Sequence, residues 1–150
     1  MGVTMLIIDV TSDLLDGLTL AEAQDHMSWQ KKFVKETGVT LFNVVHLRKT
    51  ANGSKSYSEG ATPREDDMMG TSSLQKSASL IILIGRNKLH EDDVIRNATR
   101  IVIPKNRGVG DTGDAGALFY MGDKHKLVNF KEHFGVSYDD YVAQYEINNQ

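Results

Sequence analysis

The sequence contains no cysteine, and this absence excludes disulfide bridges, thiolate zinc sites and cysteine nucleophiles. Aromatic residues make up only 7% of the 150 residues, so Ile, Leu, Val and Met are expected to build most of the core. No apolar run approaches the roughly 20 residues that a membrane helix needs. The N-terminal MGVTMLIIDV lacks the basic start of a signal peptide. The net charge of −3 is unlike that of a protein that coats DNA, although it leaves room for one local basic patch.

A strand, a helix and a second strand are predicted at the start of the chain. The apolar run MLII closes with Asp9 and predicts a buried interior strand, which indicates that further sequence belongs upstream. Thr19 and Glu22 form a capping-box pattern at the start of the helix. Residues 39–46, VTLFNVVH, then predict a strand that ends on His46. A crossover of this length makes the two strands parallel neighbours.

The rest of the chain predicts one long loop and then mostly strands. In chain order these elements are a polar loop at 48–66, a short helix within 67–78, strands at 79–86 and 98–104 (the latter ended by Pro104), a hairpin of 117–121 and 126–130, and a weak helix near 137–146. The order predicts an α/β fold. Its mixed sheet is expected to have parallel core strands flanked by helices and an antiparallel C-terminal hairpin.

Asp9 and His46 are the first candidate site residues. A carboxylate at the carboxyl end of a parallel strand lies where such sheets bind ligands, and it can hold Mg²⁺ through water when the ligand is a nucleotide. A neutral imidazole at the end of the neighbouring strand can hydrogen-bond a phosphate or an attacking water. Taken singly, each residue also fits an ordinary cap of a strand or a turn. The predicted crossover puts both at one edge of the sheet, so the pair is more informative than either residue.

Lys105 and Arg107 form a second candidate site, one residue apart before a glycine-rich loop. Alternate residues of an extended segment point the same way, so the two cations suit a polyphosphate. An arginine can also supply positive charge to the nucleotide of a neighbouring subunit. An exposed basic turn without a ligand is the alternative.

Basic and small polar residues after His46 are candidates for nucleic-acid binding. A mobile basic loop can follow a phosphate backbone, and residues near a helix start can contact phosphates. A solvated loop without a ligand is the alternative. The candidates are Arg48, Lys49, Lys55, Gly70, Thr71 and Lys76.

Four segments in this order resemble the C-terminal half of the RecA-like motor domain of hexameric replicative helicases. The likeness is greatest to phage primase-helicases, with the bacterial DnaB family behind them, and it runs from about Val3 to Phe130. LIIDVTS resembles the Walker-B strand, and TGVTLFNVVHLRK resembles the strand that carries the phosphate sensor, followed by the basic DNA loop. DDMMGTSSLQKSASLIILIGRN resembles the family's Asp-Leu-Arg-Gly-Ser-Gly segment with the next strand. IPKNRGVGDTGDAGALFY resembles the segment with the trans-acting lysine and arginine finger.

The resemblance implies roles for the candidate residues. Asp9 would organise magnesium, and His46 would sense the γ-phosphate. Lys105 and Arg107 would reach the nucleotide of the adjacent subunit. The loop after His46 and the segment 70–76 would track single-stranded DNA in the central channel.

The resemblance also implies an organisation for the whole chain. Residues 1–131 would form a partial RecA-like motor domain without its P-loop half, and residues 132–150 would form a C-terminal tail. The complete hexameric motor would use Mg²⁺ and ATP for 5′→3′ translocation on single-stranded DNA, in the cytoplasm of an infected bacterial host.

The chain departs from the family's pattern in ways that limit what it can do alone. It has no G-x-x-x-x-G-K-[ST] motif and no strand with a catalytic glutamate, and Met69 replaces the arginine of the third motif. We therefore expect the isolated chain to bind no cofactor and to hydrolyse no ATP. It is expected to self-associate or to need a partner with the P-loop half, and to have no membrane partner. The alternative is a RecA-like binding module without a P-loop that joins or inhibits a helicase ring.

Overall fold

The computed structural model describes residues 2–69 and 72–149, and the chain divides into two compact units. Unit 1 draws on Met1–Arg48 and Asp66–Ala78, and unit 2 on Lys49–Glu65 and Ser79–Gln150. The predicted long polar loop therefore belongs mostly to unit 2. Between Lys49 and Glu65 it contains only short 3-10 turns, as its composition predicts.

Unit 1 is a strand–helix–strand unit with two short additional helices. The elements are β1 (Met5–Ile8), α1 (Thr11–Leu14), α2 (Leu20–Thr37), β2 (Thr40–Asn43) and α3 (Ser72–Ser77). Helix α2 begins as the sequence predicts, because Thr19 and Glu22 form the capping box. Gly38 closes the helix with a φ of 69°.

The two strands of unit 1 pair in parallel, which confirms the predicted crossover. The register runs from Met5 opposite Thr40 to Ile8 opposite Asn43. The prediction that β2 continues to His46 is wrong, since the strand ends at Asn43. Val44 still bonds to the β1 segment, since its carbonyl accepts from the N–H of Thr11 at 2.8 Å. Beyond Val44 the chain pairs with a different segment, and the carbonyl of His46 accepts the N–H of Met69 at 2.8 Å.

One face of this parallel pair is bare within the described part of unit 1. Met5 and Ile7 of β1 are 55% and 59% exposed, and Phe42 of β2 is exposed beside them. The prediction of a buried interior strand is therefore wrong for β1. A strand is buried on both faces only when layers cover both sides of its sheet. In unit 1 the packed face is the one on which Asn43 hydrogen-bonds to Gln30 of α2.

Unit 2 is a four-stranded antiparallel sheet with three helices. The strands lie in the order β3-β4-β5-β6, and the predicted C-terminal hairpin is confirmed as β5–β6. The elements are β3 (Leu80–Gly85), α4 (Asp93–Asn97), β4 (Ala98–Asn106), β5 (Gly113–Met121), β6 (Lys126–Asn129), α5 (Phe130–Phe134) and α6 (Tyr138–Asn148).

The prediction that Pro104 ends its strand is wrong, because β4 runs on to Asn106. The register between β3 and β4 shifts at this point: Ile81 pairs with Lys105, whereas Leu83 pairs with Val102. Pro104 thus lies at an irregularity of the ladder, where the missing N–H of a proline is tolerated.

The α/β class is confirmed, with a parallel pair, flanking helices and an antiparallel hairpin. Among residues 2–69 and 72–149 the strands form two sheets in place of one mixed sheet. The physical reason is local. A crossover through α2 joins β1 to β2 in parallel, whereas β3 to β6 are joined by connections that return the chain antiparallel.

The cores of the two units differ in composition. Unit 1 buries Leu15, Ala23, Met27 and Leu74, which agrees with the expected aliphatic core. Unit 2 also buries aliphatic residues, Ile81, Leu83 and Ile95, but its largest fully buried side chain is Phe130, packed against residues of β5, α5 and α6. These partners include Phe119, Phe134, Tyr138 and Tyr141. No helix in the described ranges is both long enough and apolar enough to cross a membrane.

Candidate functional site

Asp9 lies where the sequence predicts it, directly after β1 at the carboxyl edge of the parallel pair. Its side chain is exposed. Thr11, two residues on, is fully buried. The Thr11 N–H donates to the carbonyl of Val44 at 2.8 Å, and its hydroxyl donates to Oδ1 of Asn43 at 2.6 Å. The segment that carries Asp9 is therefore fixed to the end of β2, while the carboxylate itself faces solvent.

His46 is exposed and lies three residues beyond β2. Its carbonyl accepts the N–H of Met69 at 2.8 Å, and the N–H of Arg48 donates to the carbonyl of Asp67 at 2.6 Å. Leu47, between them, bridges to Met68 in antiparallel fashion. Residues 46–48 and 67–69 thus form a short two-stranded ribbon at the end of the strand system of unit 1.

This ribbon brings together the two segments that the sequence predicts to bind DNA. Arg48 ends one arm of the ribbon and is exposed, as is Lys49, which follows it. Met69 ends the other arm, and exposed Lys76 lies in the helix that begins at Ser72. Gly70 and Thr71, the remaining candidates on that arm, lie outside the described residues. Lys55 is exposed in unit 2.

Lys105 and Arg107 remain neighbours at the end of β4 in unit 2. Lys105 is half-buried and paired with Ile81 of β3, and Arg107 is exposed just beyond the strand. The N–H of Arg107 donates to the carbonyl of Ser79 at 2.8 Å, so the backbone on both sides of Asn106 is held against β3. The two cations therefore stand on ordered backbone at one end of the antiparallel sheet.

Arg100 is a charged centre of unit 2 that the sequence did not reveal. Its Nε donates to Oδ2 of Asp114 at 2.7 Å, and its Nη2 donates to Asp139 at 3.2 Å. Burial is the largest single influence and acts to lower the pKa of Arg100, but the hydrogen bond to Asp114 and the charges of Asp114 and Asp139 together outweigh it and raise that pKa. Since two carboxylates occupy its donors, Arg100 ties β4 to β5 and α6 and is unsuited to holding an anion.

A chain of buried polar side chains was also missed. Gln30 is 2% exposed; it accepts a hydrogen bond from Asn43 and contacts His26, one turn earlier in α2. A signal for it exists in the sequence. Gln30 follows Ala23 and Met27 at the spacing of one helix face, so it is a polar residue at a core position.

The donor set limits how a metal ion could be held. Within residues 2–69 and 72–149 no group of three or more His, Asp or Glu side chains is arranged to hold a metal ion. Mg²⁺ beside a nucleotide usually takes one or two carboxylates, with phosphates and waters as its other ligands. The single exposed carboxylate of Asp9 fits that arrangement.

Comparison with known proteins finds a similarity to a phage protein. None of the protein-family models matches the chain. The chain is similar to the DNA helicase/primase of Enterobacteria phage T3, with 33% identity over 94 residues. The match covers 63% of this chain and 16% of the relative, so the chain spans a small part of that protein's length. The chain thus contains a region related to a phage helicase.

Proposed function

We propose that this chain is the C-terminal portion of a phage-type replicative DNA helicase and contributes half of an ATP-driven motor. Residues 1–131 are the partial RecA-like motor domain, without its P-loop half, and residues 132–150 are its tail. One observation carries the proposal: in a chain with a phage helicase-related region, β1 and β2 share a carboxyl edge that presents Asp9. Open α/β sheets bind ligands at this edge.

Asp9 and His46 serve the nucleotide in this proposal. The exposed Asp9 would hold Mg²⁺ through water, and the bound ion would supply positive charge that neutralises the phosphates of ATP. The Thr11 bonds to Asn43 and Val44 support the role, because they fix the backbone two residues from the carboxylate. His46 contacts the γ-phosphate from the ribbon that follows β2.

Lys105 and Arg107 act in trans on the nucleotide of the adjacent subunit of a hexamer. Arg107 is exposed, and its backbone is held by Ser79, so the guanidinium stands on an ordered base. A preorganised arginine can stabilise the charge that develops on the transferred phosphoryl group.

Single-stranded DNA follows the basic residues of the two DNA-binding segments. The ribbon of residues 46–48 and 67–69 supports this role because it fixes the residue at which each segment begins: one segment leaves after Arg48, and the other leaves from the opposite end of the ribbon, after Met69. ATP hydrolysis then moves DNA 5′→3′ from one subunit's loops to the next. The proposed DNA contacts are Arg48, Lys49, Lys55, Gly70, Thr71 and Lys76.

The partner that completes the motor covers the bare face of the β1–β2 pair. Val3, Met5 and Ile7 are exposed there with Phe42, and contiguous apolar surface of this kind marks an interaction site. The unpaired edge of β1 also offers backbone groups for a further strand. We propose that the P-loop-bearing half of the motor packs at this surface, and that the chain self-associates when that half is absent.

Mixing the chain with a helicase fragment that carries a Walker A motif tests the proposed function. We expect no ATP turnover from the chain alone and turnover from the mixture, increased by single-stranded DNA. Asp9→Ala should abolish turnover, whereas Asp16→Ala, which changes an exposed carboxylate after α1, should leave it intact.

Three outcomes would contradict the proposal. Turnover by the chain alone that Asp9→Ala abolishes would show a complete site built in another way. A folded mixture without turnover would contradict the motor assignment. Reduced ATPase of a complete helicase on addition of the chain would instead favour the alternative, a binding module that inhibits the ring.

A further inference from the structure

Four polar side chains of unit 1 form one continuous hydrogen-bonded chain beneath the Asp9 edge. The Thr11 hydroxyl bonds to Oδ1 of Asn43 at 2.6 Å, and Nδ2 of Asn43 bonds to Oε1 of Gln30 at 3.0 Å. Nε2 of Gln30 lies 3.0 Å from Nε2 of His26. Thr11 is fully buried and Gln30 is 2% exposed, so the centre of the chain is shielded from water.

The bonds in this chain run in one direction. Asn43 donates to Gln30 through its amide nitrogen and accepts from Thr11 through its amide oxygen. Since the oxygen of Gln30 is taken by Asn43, Gln30 meets His26 through its amino group, which only donates. Nε2 of His26 must therefore accept, and its ring proton must reside on Nδ1.

The far end of the chain fixes the segment after β1. Thr11 makes two bonds to the end of β2, one from its N–H to Val44 and one from its hydroxyl to Asn43. The hydroxyl of the next residue, Ser12, is buried and has no hydrogen-bond partner within the described residues. Thr11 is thus the residue whose side chain anchors this segment, and Asn43 can offer its oxygen only in the orientation that Gln30 imposes.

We propose that Gln30 and Asn43 are positioning residues that hold Thr11, and through it the segment bearing Asp9, in a fixed place at the strand edge. An apolar pair at these two positions would fill the same space without directing the Asn43 oxygen at Thr11. Fully satisfied polar networks in a core select one arrangement in this way. This relay of hydrogen bonds through Thr11, Asn43, Gln30 and His26 is a property of unit 1 itself. Its effect on the binding of Mg-ATP rests on the proposed function.

Variants of the two amide residues test the relay in the isolated chain. Gln30→Leu and Asn43→Val each leave a buried polar partner unsatisfied, whereas Q30L/N43V removes both amides together. Gln24→Leu, at an exposed site of the same helix, is the matched control. Nitrogen-15 NMR reports which ring nitrogen of His26 carries the proton. Amide hydrogen exchange reports local opening at Thr11, with the amide of Met27 in α2 as the reference.

The expected results distinguish a positioning role of Gln30 and Asn43 from a role in filling the core. His26 should show a proton on Nδ1 in the parent and in Gln24→Leu, and should lose this preference in Gln30→Leu. Each single variant should lower the urea midpoint, and the double variant should recover only part of the loss, since the Asn43–Gln30 bond is replaced by an apolar contact while the buried Thr11 hydroxyl stays without an acceptor. Exchange at Thr11 relative to Met27 should nevertheless stay roughly tenfold faster in the double variant, because the Thr11 hydroxyl still lacks its acceptor.

Three results in the isolated chain would overturn the proposal. The first is a His26 ring protonated on Nε2 in the parent at neutral charge. The second is a double variant whose Thr11 exchange returns to the parent rate together with its stability, since the amides would then be exchangeable core residues. Thr11→Ser should keep the slow exchange and Thr11→Val should lose it; equal rates in these two variants would also overturn the proposal.

A second arm measures the consequence for the proposed motor. In the mixture with a Walker A-bearing fragment, the double variant should need about tenfold more Mg²⁺ for half-maximal ATP turnover, whereas Gln24→Leu should match the parent. A purely structural role would leave the Mg²⁺ dependence unchanged once stability is restored. If no mixture turns over, the parent included, the proposed function fails, and the tautomer and exchange measurements still decide the relay.

Discussion

Replacing Phe130 with alanine should destabilise unit 2 by about 3–5 kcal/mol, the usual cost of removing a fully buried aromatic ring. Phe130 is 0% exposed, and its ring centre lies 4.6 Å from that of Phe134 and 5.5 Å from that of Tyr138. An aromatic side chain buries about 200 Å², which at about 25 cal/mol per Å² corresponds to about 5 kcal/mol. Alanine keeps part of that contact, so this figure is an upper bound.

Equilibrium urea unfolding followed by circular dichroism measures this loss. Phe130→Leu keeps most of the volume and should cost less than about 1.5 kcal/mol. Leu127→Ala, on the preceding strand, changes a side chain that is 54% exposed and should stay within about 0.5 kcal/mol of the parent. A Phe130→Ala loss below about 1 kcal/mol, or one matched by Leu127→Ala, would refute the aromatic core of unit 2.

Three further predictions concern local structure and DNA. Thr19→Ala should lower the free energy of unfolding by about 1 kcal/mol at pH 7. Hydrogen bonds from the Thr19 side chain and backbone lower the pKa of Glu22, so the cap contributes its full stability above the ordinary pKa range of glutamate. The difference in unfolding free energy between parent and variant should therefore shrink as the pH falls through the lowered pKa. Gly60→Ala should cost about 1–2 kcal/mol in the same assay, because Gly60 has a φ of 93° and a Cβ would lie 2.9 Å from Nδ2 of Asn87; an unchanged midpoint would contradict that backbone. Binding of the chain to single-stranded DNA should be weak, salt-sensitive and indifferent to sequence. Fluorescence anisotropy should show that DNA binding is lost when Arg48, Lys49 and Lys55 are all changed to alanine. The control variant changes three exposed lysines of α2, namely Lys31, Lys32 and Lys35, and an equal loss of DNA binding in it would contradict the loop assignment.

The sequence predicts most of the local elements because their signals are local. The capping box of Thr19 and Glu22 defines the start of α2, and the length of the crossover makes β1 and β2 parallel. The hairpin of β5 and β6 follows from a turn between two apolar runs. These features need no information about distant residues.

The features that the sequence did not predict depend on tertiary partners. His46 lies outside β2 and pairs instead with Met69, and no local pattern encodes that bond. Pro104 remains within β4 because the register with β3 shifts opposite it. The Arg100 bonds join residues 14 and 39 positions apart, so spacing along the chain does not reveal them.

The candidate site also contains some features that the sequence predicts and others that depend on tertiary packing. Asp9 could be placed at its strand edge from the sequence, because a carboxylate after a parallel strand has a defined position. The polar chain behind it could be predicted only in part: the spacing of Ala23, Met27 and Gln30 puts the glutamine at a core position, but only the packing of α2 on the strand pair brings Asn43 to it. The roles assigned to His46, Lys105 and Arg107 stay predictions.

The trans-acting role of Arg107 is the most direct test of the motor assignment. ATP turnover should be measured in the mixture of this chain with a Walker A-bearing helicase fragment, with light scattering to follow assembly. The account predicts that Arg107→Ala abolishes turnover while the assembly keeps its size, because the exposed guanidinium acts on a neighbour's nucleotide. Turnover equal to that of the parent, in an assembly of the same size, would contradict it.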